Sequence, residues 1–235
     1  MVYDFWYWPD IPGRGEFVRL TMEALRIEYR DCAREEGAQA LIDDMKRHAD
    51  MPAFAPPYLR VNSAVIAQTA NILMYLSERH GFDPWRMRTR YWLNQVQLTI
   101  ADMVEEAHDV HHPVSTALFY EDQKEAAKQA AAHFRDMRIP KYMAYFERAL
   151  AADEGDWLAE GRWTYADLSL FQLVEGLRYA FPQRMGTIAR DYPRLMKVHM
   201  QVQDLPELRD YLTSSLRLPF NEEGIFRYYP ELDGE

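Results

Sequence analysis

The chain has 235 residues, 48% of them hydrophobic, and a formal net charge of −10 from 27 basic and 37 acidic residues. Such a composition supports a sizeable core in one large or two small domains and excludes a disordered chain, and its acidic balance argues against a nucleic-acid or anionic-membrane surface, since each wants a basic patch. A single cysteine, Cys32, excludes an internal disulfide scaffold, the aromatic start MVYDFWYWPD lacks the basic-then-apolar order of a secretory signal, and no apolar run reaches the roughly 18 residues of a membrane span; a cytoplasmic location is expected.

Val2–Trp8, rich in aromatics, predicts a first strand, broken by Pro9-Asp10-Ile11-Pro12-Gly13. A helix follows over 14–25, with Phe17, Leu20 and Ala24 at helical spacing. Ile27–Cys32 reads as a second strand and 33–50 as a polar, weakly helical stretch. Tyr58–Val61 and Ala64–Ala67 flank Asn62-Ser63 as a hairpin. Thr69–His80 is a helix closed by Gly81.

Beyond Phe82-Asp83-Pro84 the strand signal vanishes. Long helices are expected over 85–112, ending at Pro113, and over 121–152, kinked at Pro140. Thr164 and Asp167 form an acidic variant of the capping box at the head of an apolar helix that runs to Pro182. Two further helices begin at Pro193 and Pro206. The aromatic tail 219–235 is expected to be irregular and to dock on the first domain. The fold class is therefore α+β: residues 1–82 give the order βαβαββα, and 83–235 form an all-α bundle.

The stretch from Ala55 to Gly81 carries the strongest functional signal. Pro56-Pro57 makes a rigid backbone edge beside a helix opening on Gln68-Thr69. The free N–H groups of a helix start attract a carboxylate, so this arrangement suits a small anionic ligand. Thr69 capping its own helix, with Pro57 shaping a loop, is the plainer reading of the same residues. Elsewhere, His108, His111 and His112 stand at i, i+3, i+4 beside Glu105 and Asp109, a spacing that can bind a metal. Histidines also favour the negative end of a helix, here just before Pro113, and no metal is expected.

Tyr7-Trp8, the Gly13-Arg14-Gly15-Glu16 turn with Arg19, Pro57, Gln68-Thr69 and the Thr164–Asp167 cap occur in an order and spacing that resembles the cytosolic glutathione S-transferases, in their tyrosine-type, bacterial-like form. The resemblance spans essentially the whole chain. It implies a thioredoxin-like first domain that binds glutathione as cosubstrate, without a metal, and a helical second domain that receives a small hydrophobic electrophile. It also implies a homodimer.

By the same resemblance Tyr7 is the catalytic residue. Its phenol would favour the thiolate, the reactive form of a thiol whose pKa is ordinarily about 8.5. Arg14 is the fallback. Trp8, Lys46, Pro56, Pro57, Gln68, Thr69 and Asp102 are the glutathione-binding set. A cis bond is implied at Pro57, and Lys46 would meet the glycine carboxylate, in competition with Arg47 and His48. Asp102 would meet the amine, in competition with Asp109.

Two departures from the family pattern stand out. Pro56 has no N–H where the family offers one, and the turn from Tyr7 to Gly13 is one residue longer. They support a non-catalytic binding protein of this fold as an alternative. A glutathione-dependent isomerase or reductase is another.

Overall fold

The computed structural model describes residues 2–48, 50–152 and 155–234. The chain forms two compact units, Met1–Arg90 with Asp204–Pro219, and Tyr91–Gln203 with Phe220–Glu235.

In the first unit the order is β1 (Tyr3–Trp6), α1 (Gly15–Ala24), β2 (Tyr29–Asp31), α2 (Cys32–Glu36), α3 (Ala38–Arg47), β3 (Tyr58–Val61), β4 (Ala64–Ala67) and α4 (Thr69–Arg79). The sheet runs β2-β1-β3-β4, with β1 parallel to β2 and antiparallel to β3, and β4 antiparallel to β3. This is the thioredoxin-like pattern expected for the first domain.

Helix α1 is buried along nearly its whole length. A hydrophobic cluster of Trp6, Cys32, Ala33, Leu41 and Tyr58 lies between β1, β3 and the α2–α3 segment. Each large apolar side chain buried in this way contributes about 1.5–3 kcal/mol. Gly81, in the left-handed region at φ +69°, closes α4, with the Phe82 N–H donating back to Ser77 O at 2.9 Å.

Two readings of this half are corrected. The polar stretch 33–50 contains two defined helices. Cys32 opens α2 and does not lie in β2. Asp44 is almost fully buried and accepts from Tyr58 Oη (2.9 Å), Arg60 Nη1 (2.8 Å) and His48 Nε2 (3.0 Å). These donors compensate a buried carboxylate and fasten α3 to β3. His48 is thereby engaged with Asp44.

The second unit contains α5 (Met87–Asp109, entering from the first unit), α6 (Lys124–His133), α7 (Ile139–Leu150), α8 (Tyr165–Ala180), α9 (Pro182–Ile188), α10 (Pro193–Gln203) and α12 (Pro230–Asp233). Helix α11 (Arg209–Thr213) belongs to the first unit.

The single kinked helix expected over 121–152 is instead two helices joined by a π-helical turn, Phe134–Arg138. Pro140 cannot donate to the preceding turn and its ring crowds the carbonyl there, so the distortion falls before the proline. The tail is also corrected. It belongs to the second unit, where Phe226 sits so close to Gly176 that a Cβ on that glycine would overlap its ring.

The Thr164–Asp167 capping box is present. Asp167 is fully buried and accepts from Thr164 N (2.8 Å), Thr164 Oγ1 (2.6 Å) and Leu158 N (2.9 Å). Burial raises its carboxyl to about 6, and these donors act in the opposite direction. Among the described residues, no helix is long and apolar enough to cross a membrane.

Candidate active site at one end of the small sheet

Register assembles this site. β1 pairs with β3 through Trp6 and Tyr58, and β3 pairs with β4 through Tyr58 and Ala67. Tyr7, Pro57 and Gln68 are the residues next to those last paired positions, so all three leave the sheet at the same end. Three separated parts of the sequence thus meet at one end of the sheet. The peptide bond Pro56-Pro57 is cis, as expected.

Tyr7 is buried, and the turn after it is shaped to receive its ring. A Cβ on Gly13 would overlap the phenol oxygen, and one on Gly15 would overlap the ring. Gly13 also lies in the left-handed region, at φ +42°, which glycine tolerates best. The Arg14 N–H donates to Tyr7 Oη at 2.8 Å. A hydroxyl that accepts this bond keeps its own proton to donate.

Burial pushes the Tyr7 phenol above its ordinary value. The Arg14 N–H and the charges of Arg14 and Arg19 pull the other way. The group is therefore a neutral O–H donor through physiological pH, not a phenolate base.

Beneath it lies a buried charge network that sequence reasoning missed. Arg19, fully buried, donates through Nε to Asp31 Oδ2 at 2.7 Å and lies 3.8 Å from Glu16. Tyr211, from the returning segment 204–219, donates to Glu16 at 2.8 Å. The Arg19 guanidinium is 5.1 Å from the Phe5 ring centre and 5.8 Å from that of Tyr7, within cation–π range. Arg19 and Glu16 were legible as part of the turn motif, but their burial was not.

A cleft of about 470 Å³ opens beside Pro56, lined by Trp8, Ile42, Met45, Lys46, Phe54, Ala55 and Pro56. It unites three of the expected binding residues: Trp8, Lys46 and Pro56. Ile42, Met45 and Lys46 share one face of α3 at i, i+3, i+4, a spacing that could have drawn attention to Ile42 and Met45 in the sequence. Lys46 is largely exposed, 3.4 Å from Asp43, where such a pair contributes little. Arg14 is half-buried at the head of α1.

Gln68 stands before α4 with φ +69° and ψ 121°, and provides no side-chain cap. The Thr69 Oγ1 is shielded from solvent without a hydrogen-bond partner. Asp102 is exposed on α5 in the second unit. The Cys32 thiol is buried and pushed up to about 12 by that burial, the opposite of an activated thiol.

The model of the "Glutathione S-transferase, C-terminal domain" family matches residues 108–215. A glutathione S-transferase of Plasmodium falciparum is 23% identical over 217 residues, covering 88% of this chain and 94% of that protein. A putative glutathione S-transferase alpha-5 of Dictyostelium discoideum is 26% identical over 211 residues, covering 88% and 93%. The solved Pi-class glutathione S-transferase of Onchocerca volvulus superposes with a TM-score of 0.74 at 19% identity, over 95% of this chain and 99% of that one, a likeness of fold. The sheet topology, the helical second unit and these similarities agree: over nearly its whole length the chain is similar to the cytosolic glutathione S-transferases.

Proposed function

We propose that the protein is a glutathione transferase that holds the tripeptide along the end of the small sheet and uses Tyr7 to stabilise its thiolate for attack on a hydrophobic electrophile. The supporting observation is the seating of Tyr7: a phenol packed against Gly13 and Gly15 and held by the Arg14 N–H, at the end of the sheet from which Pro57 and Gln68 also leave. In this reading residues 1–82 form the glutathione-binding domain. The γ-glutamyl carboxylate meets the N–H groups and side chains of Gln68 and Thr69. The Pro56 carbonyl accepts from the cysteinyl N–H, and Lys46 faces the glycine carboxylate across the Trp8-lined cleft. The thiol proton leaves to solvent, and the sulfur forms a thioether with the electrophile as its leaving group departs.

The test is retention on immobilised glutathione followed by conjugation of a chromogenic aryl halide. A hydrogen bond to a charged group contributes about 1.5–3 kcal/mol, so Tyr7→Phe should lower kcat/KM by about 10- to 150-fold.

The pH profile checks the sign. The phenol O–H favours the thiolate, so the profile of the wild type should rise at lower pH than that of Tyr7→Phe, which moves toward the free thiol value of about 8.5. Because burial raises the phenol, the wild type should show no fall at the ordinary tyrosine value of about 10. Identical profiles and rates in the two proteins would remove Tyr7 from the mechanism. Glutathione that leaves the melting temperature unmoved at millimolar concentration would favour the non-catalytic reading. A homodimer in the cytoplasm belongs to the same proposal, and sedimentation tests the dimer.

A further inference from the structure

The end of α5 carries a group of side chains that glutathione chemistry does not use. Among the described residues, one ring nitrogen from each of His108, His111 and His112 lies within 4.8 Å of the other two. The ring centres are 5.1, 5.1 and 4.8 Å apart.

Histidines that only complement a helix end point N–H groups at its last carbonyls or remain in water. His111 does neither. It is 2% exposed, and its Nε2 lies 2.8 Å from the carbonyl oxygen of Ile225. A carbonyl only accepts, so Nε2 carries the proton, and in the neutral ring Nδ1 is left with a bare lone pair. That Nδ1 is buried and has no hydrogen-bond partner.

His112 is oriented in the same manner. Its Nδ1 lies 3.1 Å from the Leu118 carbonyl and 3.4 Å from Gln123 Nε2; the two amide protons of Gln123 have nearer carbonyl acceptors, so Nδ1 donates to Leu118 and the lone pair is left on Nε2. Gln123 secures the loop that supplies this carbonyl. Its Oε1 accepts from Val114 N at 2.9 Å, and its Nε2 donates to the Ser115 and Leu118 carbonyls, each at 3.1 Å. A backbone carbonyl that takes one imidazole N–H, and so fixes the tautomer presented by the other nitrogen, is the second-layer arrangement of metal-binding histidines.

We propose that His108, His111 and His112 form a binding site for a divalent transition-metal ion of the zinc type. Neutral imidazoles suit zinc, nickel and copper(II), whereas calcium and magnesium prefer oxygen ligands. Glu105 and Asp109 form a second group with His108, their ligand atoms within 4.8 Å of one another; the fourth position would be taken by water or by one of these carboxylates. Zinc–nitrogen bonds of about 2.0–2.1 Å set the nitrogens roughly 3.4 Å apart in a tetrahedral site. Rotation of the half-buried His108 and His112 rings toward the fixed His111 supplies that contraction. The ion would join the end of α5 to the 113–123 loop and, through Ile225, to the tail.

The experiment uses the untagged full-length chain, stripped with EDTA and titrated with Zn²⁺ in competition with a chromogenic zinc chelator. Co²⁺ serves as a spectroscopic substitute. One equivalent of Zn²⁺ should bind, with a rise in melting temperature, and Co²⁺ should give the intense visible bands of a four-coordinate site. His108→Ala and His112→Ala replace half-buried rings and leave the His111–Ile225 bond intact; each should weaken Zn²⁺ at least about tenfold, since even second-layer changes cost about 10–100-fold. Absence of binding at micromolar Zn²⁺ overturns the proposal, and so does affinity unchanged in both variants.

Discussion

Two helix starts in this molecule face the same physical problem and are completed in different ways. At the head of α8, Thr164 and Asp167 satisfy the exposed N–H groups from within the chain, and a third donor, Leu158 N, joins them in a fully buried site. At the head of α4, Gln68 provides no cap, its backbone is in a region that non-glycine residues avoid, and the Thr69 hydroxyl is shielded without a partner. A helix start costs stability when left open. The first start is completed within the chain, and the proposed function assigns the second to the ligand's carboxylate.

The comparison breaks most readily at Asp167. Asp167→Ala orphans the buried N–H groups of Leu158 and Thr164 and the Thr164 hydroxyl. At roughly 1–3 kcal/mol for each orphaned buried donor, with partial relaxation, the loss should be about 3–5 kcal/mol. Urea unfolding should show a lower midpoint with an unchanged slope. A loss under about 1 kcal/mol would mean that α8 does not depend on its cap.

Thr69→Val should behave in the opposite way. The hydroxyl has no partner to lose in the free protein, so stability should change by less than about 0.5 kcal/mol. Glutathione affinity should fall by about 10-fold or more, the scale of one hydrogen bond to a carboxylate. Calorimetric titration with glutathione measures it. A destabilised protein with unaltered affinity would make Thr69 a plain cap and erase the contrast with Thr164.

Gln68→Gly sharpens the same contrast from the backbone side. Glycine adopts a positive φ without the steric penalty, which is about 1 kcal/mol or more for a side chain held in a sparsely populated region. The free protein should gain up to about 1 kcal/mol, reduced by glycine's larger chain entropy, while glutathione binding weakens. A stability increase paired with an affinity loss marks a conformation kept for its ligand.

What the sequence makes legible follows the same division. The hairpin Tyr58–Val61/Ala64–Ala67 was readable to the residue because two short, largely apolar runs flank the turn pair Asn62-Ser63, with Asn62 in the left-handed region at φ +55°. Its register alone brings Pro57 and Gln68 to the same end of the sheet. The capping box at α8 was readable because both of its partners lie within one helical turn.

Helix α3 was faint because Leu41 and Asp44 are its only buried residues, and a buried aspartate adds nothing to a hydrophobic pattern. Its partners Tyr58 and Arg60 are remote in sequence. The link from Tyr211 to Glu16 is likewise invisible to any local pattern, since it joins the first helix to a segment near the end of the chain. So is the Ile225 carbonyl that orients His111: spacing alone suggested the three histidines, and only the fold shows which nitrogen His111 and His112 leave open.

The smallest effect lies at Pro56, on the other side of the site from Gln68. There the chain withholds a donor instead of leaving one open, because proline has no N–H to offer the ligand's backbone. Pro56→Val restores the N–H and keeps the carbonyl. One additional neutral hydrogen bond is worth about 0.5–1.5 kcal/mol, so glutathione should bind about 2- to 12-fold more tightly, with kcat nearly unchanged because the bond forms equally in the ground and transition states. Steady-state kinetics with glutathione varied would show this as a fall in KM alone. A KM that rises would show that Pro56 contributes through its ring, as part of the wall it forms with Trp8 and Phe54, and that the missing N–H is no handicap to this site.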